Sequence, residues 1–542
     1  MTDWVLAPLA WLFAHYRRLR DPVGRMLLRT GKHFYVVLAV TCLLVGGWDQ
    51  FVHPFSRSLS NASFDWLMKH RPIPYVADPG IVVLDIDEAS LGEMSARYGR
   101  WPWPREVLAQ VAAKLESHGT QAVVFDILFA DPDTRNPESE AAFDRFVKES
   151  RVSFFPILRL NPLDDGESEI RLSMLNFASV EPRESGVKLQ PARTIALLPP
   201  YFKSIYDSSR MGTHNVYPDG DNVVRWHQNY EALAGYRIPS LPYRMAEVLH
   251  WPLPQRPRGL INWPRGATPY RTIPFVQALQ AAQGGNDAFF AALAGKVVLI
   301  GSTAASLNDI KATPVDEMHP GIYVLATAID NTRHASFLRP LPPLVIWLVE
   351  LLLLVPSTYM FMRTELSQVT ARGFVAIPTA LLGISLLSVS VSNLLADLSV
   401  PIAMVLTYFT IATIFEKQQT NFSFGIGIFA PSAAEKATQL QIACLPGSFT
   451  RHRVLELLER CEEPIKLWRP AELGLGSHWV AQGWVLWRWT PREDANVAGT
   501  GSQTTAVDGV ALRWIDVQAA DPDNTFSVAR AVSKAAAEGT AD

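Results

Sequence analysis

Cysteine is scarce in this chain, with three in 542 residues. Cys42 lies in an apolar run, and Cys444 and Cys461 lie near the carboxyl terminus. The long region from residue 49 to residue 340 contains no cysteine at all. A disulfide framework is therefore excluded there, although we expect that region to lie outside the cytoplasm.

An excess of charge of either sign is also missing. The formal net charge is -3, so nothing in the overall charge favours nucleic acid as a partner. Hydrophobic residues make up 48% of the chain against 19% charged residues, and the apolar excess is concentrated in a few blocks. This composition is typical of a membrane protein with soluble parts.

The carboxyl-terminal stretch 416–542 lacks the signatures of the common signalling enzymes. It has no P-loop, no set of protein-kinase motifs, no GGDEF run and no paired metal-binding Asp of a nucleotide cyclase. His452 and His478 are its only histidines, and His452 fits an ordinary residue at a helix start better than a phosphoacceptor. We therefore expect no catalytic residues, no cofactor and no metal site, and no enzyme activity.

Four apolar runs predict membrane-spanning helices. Residues 33–49 form the first, which is short for a span unless Lys32 and Trp48 sit at the membrane interface. Its alternative is the core of a signal peptide, but no cleavage site follows and the run begins deep in the chain. Residues 343–415 hold three more runs separated by tight turns, each able to cross a hydrocarbon core of about 30 Å.

The distribution of basic residues predicts the orientation of these helices. Basic clusters precede the first span and flank the loop after the second, and such clusters stay in the cytoplasm. Residues 1–32 and 416–542 are then cytoplasmic, and residues 50–340 form an extracytoplasmic domain of an inner-membrane protein. Residues 1–32 fit either a helix on the membrane surface or a disordered start. The basic residues concerned are Arg17, Arg18, Arg20, Arg25, Arg29, Lys32, Arg363 and Arg372.

The external domain opens with the pattern of a βαβ unit. Residues 81–87 and 122–129 are short runs rich in apolar and β-branched residues, as in buried strands. Between them, Val107, Leu108, Val111, Ala112 and Leu115 recur at helical spacing, and Gly119 suits a left-handed cap. We therefore predict two neighbouring parallel strands joined by a helix, with residues 296–303 as a further strand.

Polar and aromatic residues collect where these strands end, which is where open parallel sheets place their ligands. Two interpretations remain open: a ligand pocket with the tryptophans as its wall, or a rigid Trp-Pro corner with Arg105 fixed by Asp126. In the first interpretation Arg105 could pair with any of the acids at this edge. The candidate ligand-binding residues are Asp85, Asp87, Trp101, Trp103, Arg105, Asp126 and Ser302. In the same domain, residues 211–227 predict a β-hairpin with its turn near Pro218 to Gly220.

Several stretches together resemble the type-two CHASE domain: "IVVLDIDEASL", "GRWPWPR", "GTQAVVFDILFADPD", "GKVVLIGSTAASLNDIKATPVDEMHPGIYVLATAIDN" and "FLRP", followed by three spans. The resemblance covers roughly residues 35 to 415. One position departs from the family pattern, since Leu325 stands where a His is expected. The matching positions are Asp85, Asp87, Trp101, Pro102, Trp103, Pro104, Arg105, Asp126, Asp309, Thr313, Pro314, Pro320 and Gly321.

This resemblance implies a role. The family is an extracytoplasmic sensing module often found on bacterial adenylate cyclases, diguanylate cyclases and histidine or serine/threonine kinases. It implies that the domain detects something outside the cytoplasmic membrane and that the helices pass the signal inward. It adds Asp309 to the candidate ligand-binding residues and names no ligand.

The cytoplasmic end, residues 416–542, is rich in tryptophan. Trp484, Trp487 and Trp489 fall in a predicted strand region, and residues 509–518 predict another strand. Together with a helix predicted to begin at His452, these strands predict a small α+β domain. Tryptophan rings at alternating positions favour a compact core. The alternative is a docking patch for a cytosolic partner, since Trp is frequent in the hot spots of protein interfaces.

Our sequence-based prediction is a mixed membrane protein. It has an external α/β sensor domain with a partly parallel sheet, four transmembrane helices and a small cytoplasmic α+β domain. The function expected is a sensor, most readily a homodimer, that acts through a separate cytosolic kinase, cyclase or regulator. The alternative is a structural subunit that scaffolds an envelope-spanning complex.

Overall fold

A computed structural model gives the fold of the chain, which divides into two compact units. We call the first the α/β unit; it comprises residues 54–346 with 379–400. The second unit comprises residues 1–53, 347–378 and 401–542. The residues that the structure describes are 33–176, 179–180, 187–206, 210–266, 268–363, 369–424, 438–445, 453, 466–468, 484–491, 503–507 and 510–517.

A seven-stranded, mostly parallel sheet forms the centre of the α/β unit. Its strand order is β11-β1-β12-β2-β3-β5, with β6 also paired to β3. Every pair is parallel except β3 with β5, which confirms the predicted α/β fold with a partly parallel sheet. The strands of this unit are β1 Ile81–Asp85, β2 Ala122–Phe125, β3 Ser153–Arg159, β4 Ser179–Val180, β5 Leu197–Leu198, β6 Met211–Thr213, β7 Trp226–Gln228, β8 Tyr230–Leu233, β9 Tyr236–Pro239, β10 Arg258–Leu260, β11 Arg271–Pro274, β12 Val297–Gly301, β13 Ile310–Lys311, β14 His319–Pro320, β15 Arg339–Pro340 and β16 Leu394–Leu395.

The prediction that β1 and β2 are neighbouring strands was wrong. β1 and β2 are parallel, but they do not pair with each other, because β12 lies between them. Val298 faces Val82 on one side and Val123 on the other. A strand that follows β2 by some 170 residues of chain therefore completes the centre of the sheet.

Both faces of the sheet are buried. Along β1, Val82 and Leu84 belong to one core cluster, while Ile81 and Val83 belong to a second cluster. Side chains alternate across a strand, so a continuous apolar run is required when helices cover both faces. The helices of the α/β unit are Arg57–His70, Glu88–Tyr98, Glu106–Ser117, Pro137–Glu149, Leu241–Val248, Phe275–Gln283, Asp287–Ala291 and Gly321–Arg333.

The helices begin and end at residues with a physical reason for the boundary. The Asp87 carboxylate accepts a hydrogen bond from the Ser90 amide at the start of Glu88–Tyr98. Ser240 caps Leu241–Val248 in the same way, and Pro242 follows in its first turn. Gly119, just past Glu106–Ser117, has a φ of 79°, the left-handed conformation expected from the sequence.

The predicted β-hairpin over residues 211–227 was wrong, although a turn does form there. The Asp219 amide donates to the Val223 carbonyl, and the buried Arg225 bonds to both Asp219 and Asp221. β6 and β7, on either side of this turn, pair with β3 and β10 and not with each other. Arg225 also binds Asp65, so the turn folds against the helix Arg57–His70.

The second unit contains helices of membrane-spanning length. His33–Phe51 and Pro343–Met362 qualify by length and hydropathy, as does Gly373–Val391, whose last part belongs to the α/β unit. The fourth predicted span falls in the helix Ser399–Phe424, whose apolar part, Ser399–Phe415, is shorter than the other three. The full helices are His33–Phe51, Pro343–Arg363, Val369–Val391 and Ser399–Phe424.

The carboxyl-terminal end of the second unit contains a five-stranded antiparallel sheet, ordered β18-β19-β17-β21-β20. The predicted strands around Trp487 and over residues 509–518 are confirmed as β19 and β21. The predicted membrane-surface helix within residues 1–32 and most of the predicted helix from His452 lie outside the described residues. The strands are β17 Thr438–Leu445, β18 Lys466–Trp468, β19 Trp484–Pro491, β20 Gln503–Val507 and β21 Val510–Val517.

Candidate functional site

Ionisable side chains meet at the carboxyl edge of the central sheet. Asp85 ends β1, Asp126 follows β2, and His214 follows β6. The loop after β12 brings Thr303 to the same edge. Because parallel strands end on one side of the sheet, residues distant in sequence lie together there.

Asp85 holds the loop after β12. One of its carboxylate oxygens accepts from the Thr303 amide at 2.8 Å and the other from the Thr303 hydroxyl at 2.6 Å. Burial raises the pKa of Asp85, the two bonds from Thr303 lower it, and Asp87 raises it further. The Ser302 hydroxyl donates to the Ile86 carbonyl at 2.7 Å. The predicted site residues Asp85 and Ser302 therefore have their hydrogen-bond partners inside the fold, in Thr303 and in the backbone of Ile86.

Asp126 forms an ion pair with His214, a residue that sequence reasoning missed. His214 Nε2 lies 2.8 Å from Asp126 Oδ1, and the side chains are 25% and 3% exposed. Burial lowers the pKa of His214, but the charge and hydrogen bond of Asp126, with Asp309 beyond, outweigh it and raise the pKa. A buried carboxylate here faces an imidazole that still reaches solvent. Little in the sequence indicates that His214 belongs to this site, because it follows a strand of only three residues, which is too short to show an apolar pattern.

Asp309 and Lys311 complete this group, which we call the edge cluster: Asp126, His214, Asp309 and Lys311. Lys311 Nζ lies 2.8 Å from Asp309 Oδ1, and the side chains are 35% and 42% exposed. A Cβ on Gly321 would fall on the carboxyl group of Asp309, so any larger residue there would displace that side chain. The cluster combines a buried acid, Asp126, with a histidine, a lysine and a second acid that reach solvent. Such a combination is able to respond to protons or to a charged ligand.

A second histidine borders the edge cluster. His227 Nε2 lies 3.1 Å from the Ser240 hydroxyl, and its ring stacks parallel to that of Phe337. Burial, with a smaller contribution from His214, lowers the pKa of His227 to about 3. His227 is therefore neutral at physiological pH, whereas Asp126 raises the pKa of His214 above the ordinary histidine value.

The tryptophans contribute to the core. Trp103 is 2% exposed, and its ring lies 5.8 Å from that of Phe275 in a stacked arrangement. Trp101 meets Trp103 edge-on at 4.9 Å, and the Trp101–Pro102 bond is cis. These ring contacts are the ones expected of a rigid Trp-Pro corner, one of the two interpretations that the sequence left open.

Arg105 does not pair with any of the predicted acids. Its guanidinium lies 2.8 Å from the Glu140 carboxylate, donates to the Asp131 carbonyl and covers the ring of Tyr201 at 4.7 Å. The interpretation in which Asp126 fixes Arg105 was therefore wrong, because Asp126 is paired with His214.

The predicted docking residues Trp484, Trp487 and Trp489 lie on β19, where the structure describes the backbone pairing. Their role in docking a partner stays a prediction.

One group of side chains has metal-ligand spacing: Asp78, Asp330 and His334 each bring a ligand atom to within 4.8 Å of the others. Asp330 is fully buried and accepts a hydrogen bond from the Tyr75 hydroxyl. Asp78 already pairs with Arg333 at 3.1 Å and with His334 at 2.9 Å. Because a guanidinium supplies the positive charge, these residues fit an ion-pair network better than a metal site.

Comparison with known protein families gave a match. The sequence model of the CHASE2 domain matches residues 36–359, more than half of the chain. No curated protein and no solved structure matches the chain.

Proposed function

The chain belongs to the CHASE2 family, and from this we propose that it is a transmembrane sensor without an enzyme of its own. CHASE2 is an extracytoplasmic sensor domain, so a sensory role follows from membership. The finer proposal is that the signal passes through the membrane helices to the small carboxyl-terminal domain. That domain then acts on a separate cytosolic kinase, cyclase or regulator.

One observation carries this proposal: the sensor domain is attached to membrane-length helices on both sides. His33–Phe51 precedes the domain in the chain, and Pro343–Met362 follows it. A change of shape in the domain can therefore act on two helices, and the chain continues from them to the sheet β17–β21. Orientation with both termini in the cytoplasm, as the basic residues predict, would place that sheet where a cytosolic partner can bind.

We place the sensing position at the edge cluster. It combines solvent access with ionisable groups. Its members come from the loops after β2, β6 and β12 and from the short strand β13, and they pack closely against Gly301 and Gly321. A signal moves such a site only if it binds two conformations with different affinity. A homodimer would let such a change shift one subunit against the other, which is an argument by analogy.

The proposal is tested by affinity capture with the full-length chain, tagged and solubilised from membranes of its native cell. The parent is compared with a Trp487→Ala/Trp489→Ala variant. A Trp66→Ala variant is the matched control, because Trp66 is an exposed tryptophan of the α/β unit. We expect the parent and the control to retain the same kinase, cyclase or regulator, and the double variant to lose it.

Two outcomes would contradict the proposal. Nucleotide turnover by the purified full-length chain would make it an enzyme. Retention of envelope proteins alone, unchanged in the double variant, would favour the alternative of a structural subunit in an envelope-spanning complex.

A further inference from the structure

Arg71 is a buried cation without a counter-ion. It follows the helix Arg57–His70, is 1% exposed, and donates to the Asn262 side chain at 2.6 Å and to the Trp263 carbonyl. A weaker bond of 3.4 Å reaches the Val389 carbonyl. Its Nε atom meets no acceptor among the described residues. The acceptors of this guanidinium are thus neutral oxygens.

Two other buried arginines of the α/β unit, Arg159 and Arg225, are neutralised directly. Arg159 pairs with Asp165 at 2.7 Å, and Arg225 pairs with Asp65 at the same distance. Among the described residues, no carboxylate pairs with Arg71. Its ionic neighbour is a second cation, Arg265, which donates to the Arg71 carbonyl at 2.7 Å. A buried charge without compensation is costly unless something supplies the opposite charge.

Burial lowers the pKa of Arg71 to about 10, and the positive charge of Arg265 contributes to the lowering. The guanidinium therefore stays protonated at neutral pH. Arg71 and Arg265 thus place two positive charges near each other, and such a pair would attract an anion.

A cavity of about 220 Å³ opens beside Arg71. Its polar lining includes Asn262, Ser390, Ser392 and Asn393, and no Asp or Glu is among the lining residues. The Ser390 and Ser392 hydroxyls donate to backbone carbonyls, as does the Asn262 amide. The Asn393 amide, whose bond to the Ala335 carbonyl is long at 3.5 Å, and the Arg71 guanidinium are the groups left to bind phosphate oxygens.

The cavity lies where a membrane-length helix ends. Gly373–Val391 is long and apolar enough to span, and Val391 and the residues after it form one wall. The rim is aliphatic and open, since Ile73 is 56% exposed, Val76 78% and Val391 63%. Apolar side chains around a polar recess at the end of a span lie at the depth of lipid headgroups.

We propose that this cavity binds a phosphate group, presented by the headgroup of an anionic phospholipid or by free phosphate. The aliphatic rim favours the lipid, because acyl chains would cover the exposed valines and isoleucine while the phosphate enters beside Arg71. Binding supplies the negative charge that the described residues do not.

The test measures the thermal stability of the detergent-purified full-length chain against added phosphatidylglycerol, phosphatidylcholine or inorganic phosphate. Arg71→Gln removes the charge. Asn393→Asp places a carboxylate in the cavity lining, and Asn393 is an exposed side chain whose amide reaches only the Ala335 carbonyl at 3.5 Å. We therefore expect this second variant to fold as the parent does.

Two further variants are matched controls. Arg210 is similarly buried and also donates to backbone carbonyls, but Glu116 lies near it. Asn176 is exposed and donates to the Tyr206 carbonyl at 3.3 Å. We expect Arg210→Gln and Asn176→Asp to respond to the ligands as their parent does.

The expected result is stabilisation of the parent by phosphatidylglycerol and not by phosphatidylcholine, lost in Arg71→Gln. In Asn393→Asp the half-maximal concentration should rise about fivefold or more, since a like charge at contact distance costs about 1 kcal/mol even in water. A response to inorganic phosphate with the same variant pattern, but none to lipid, would support the site and assign it to soluble phosphate. Equal responses to both lipids, or an Asn393→Asp response equal to the parent's, would overturn the proposal.

Discussion

The ion pair of His214 with Asp126 predicts that the stability of the sensor domain depends on pH. Asp126 raises the pKa of His214 in the folded chain against the burial that lowers it, whereas the ordinary value is about 6.5. A raised pKa means that the ion pair stabilises fully below about pH 6.5 and that this contribution is lost as pH rises through the folded pKa. We therefore expect the free energy of unfolding to fall as pH rises above about 6.5.

Denaturant unfolding at a series of pH values measures this slope. His214→Gln, which cannot titrate, should flatten the slope. His70→Gln should leave it as in the parent, because His70 is exposed and its imidazole contacts the Trp66 carbonyl and ring. A slope that persists in His214→Gln would show that the pH dependence comes from other groups.

Trp103 tests whether the Trp-Pro corner is structural. Because the ring is buried against Phe275, Trp103→Ala should lower the free energy of unfolding by about 3–5 kcal/mol. The exposed Trp66 is the control, and Trp66→Ala should change stability far less. Thermal unfolding of both variants measures the difference. A stable Trp103→Ala chain that no longer responds to a signal would instead make this ring the wall of a pocket.

At the scale of elements, Gly301 decides how closely β12 approaches the edge cluster. A Cβ there would lie 2.7 Å from Asp126 Cβ and 2.8 Å from Ile322 Cδ1. Gly301→Ala should therefore destabilise the domain by about 1–3 kcal/mol and weaken the pH slope that His214 causes. Gly92→Ala is the contrasting variant, since its Cβ meets nothing within 4 Å in a helix and should stabilise by about 0.5–1 kcal/mol. Equal effects of the two changes would contradict the packing described.

Local patterns predicted the elements of the sheet well and their pairing poorly. Apolar runs specify β1, β2 and β12 as strands, because each is buried on both faces. The order in the sheet depends on β12, which arrives from far along the chain, and no local pattern reports that. The turn near Pro218 was predicted correctly, yet Arg225 and its carboxylates direct the flanking strands to other partners. The candidate site shows the same limit: Asp85 and Asp126 end recognisable strands, whereas His214 has no periodic pattern around it.

At the scale of the whole molecule, the proposed relay must pass through contacts between membrane helices. In the second unit, Glu350 of Pro343–Arg363 packs its carboxyl group on Gly46 of His33–Phe51, and the Trp347 ring donates to the Leu43 carbonyl at 3.1 Å. No donor among the described residues reaches the Glu350 oxygens. The Glu350 carboxyl group packs on a glycine of the neighbouring helix, so a larger side chain at that glycine would disturb the contact between the two helices.

Gly46→Ile should therefore separate these helices, because its side chain would occupy the place of the Glu350 carboxyl group. If the relay uses this contact, capture of the cytosolic partner by the full-length chain should change at least about twofold, while the pH slope of the sensor domain stays as in the parent. Gly383→Ile is the matched control, since a Cβ at Gly383 of Val369–Val391 meets nothing within 4 Å. Capture by Gly46→Ile equal to that of the parent, with the variant inserted and folded, would exclude this helix contact from the path of the signal.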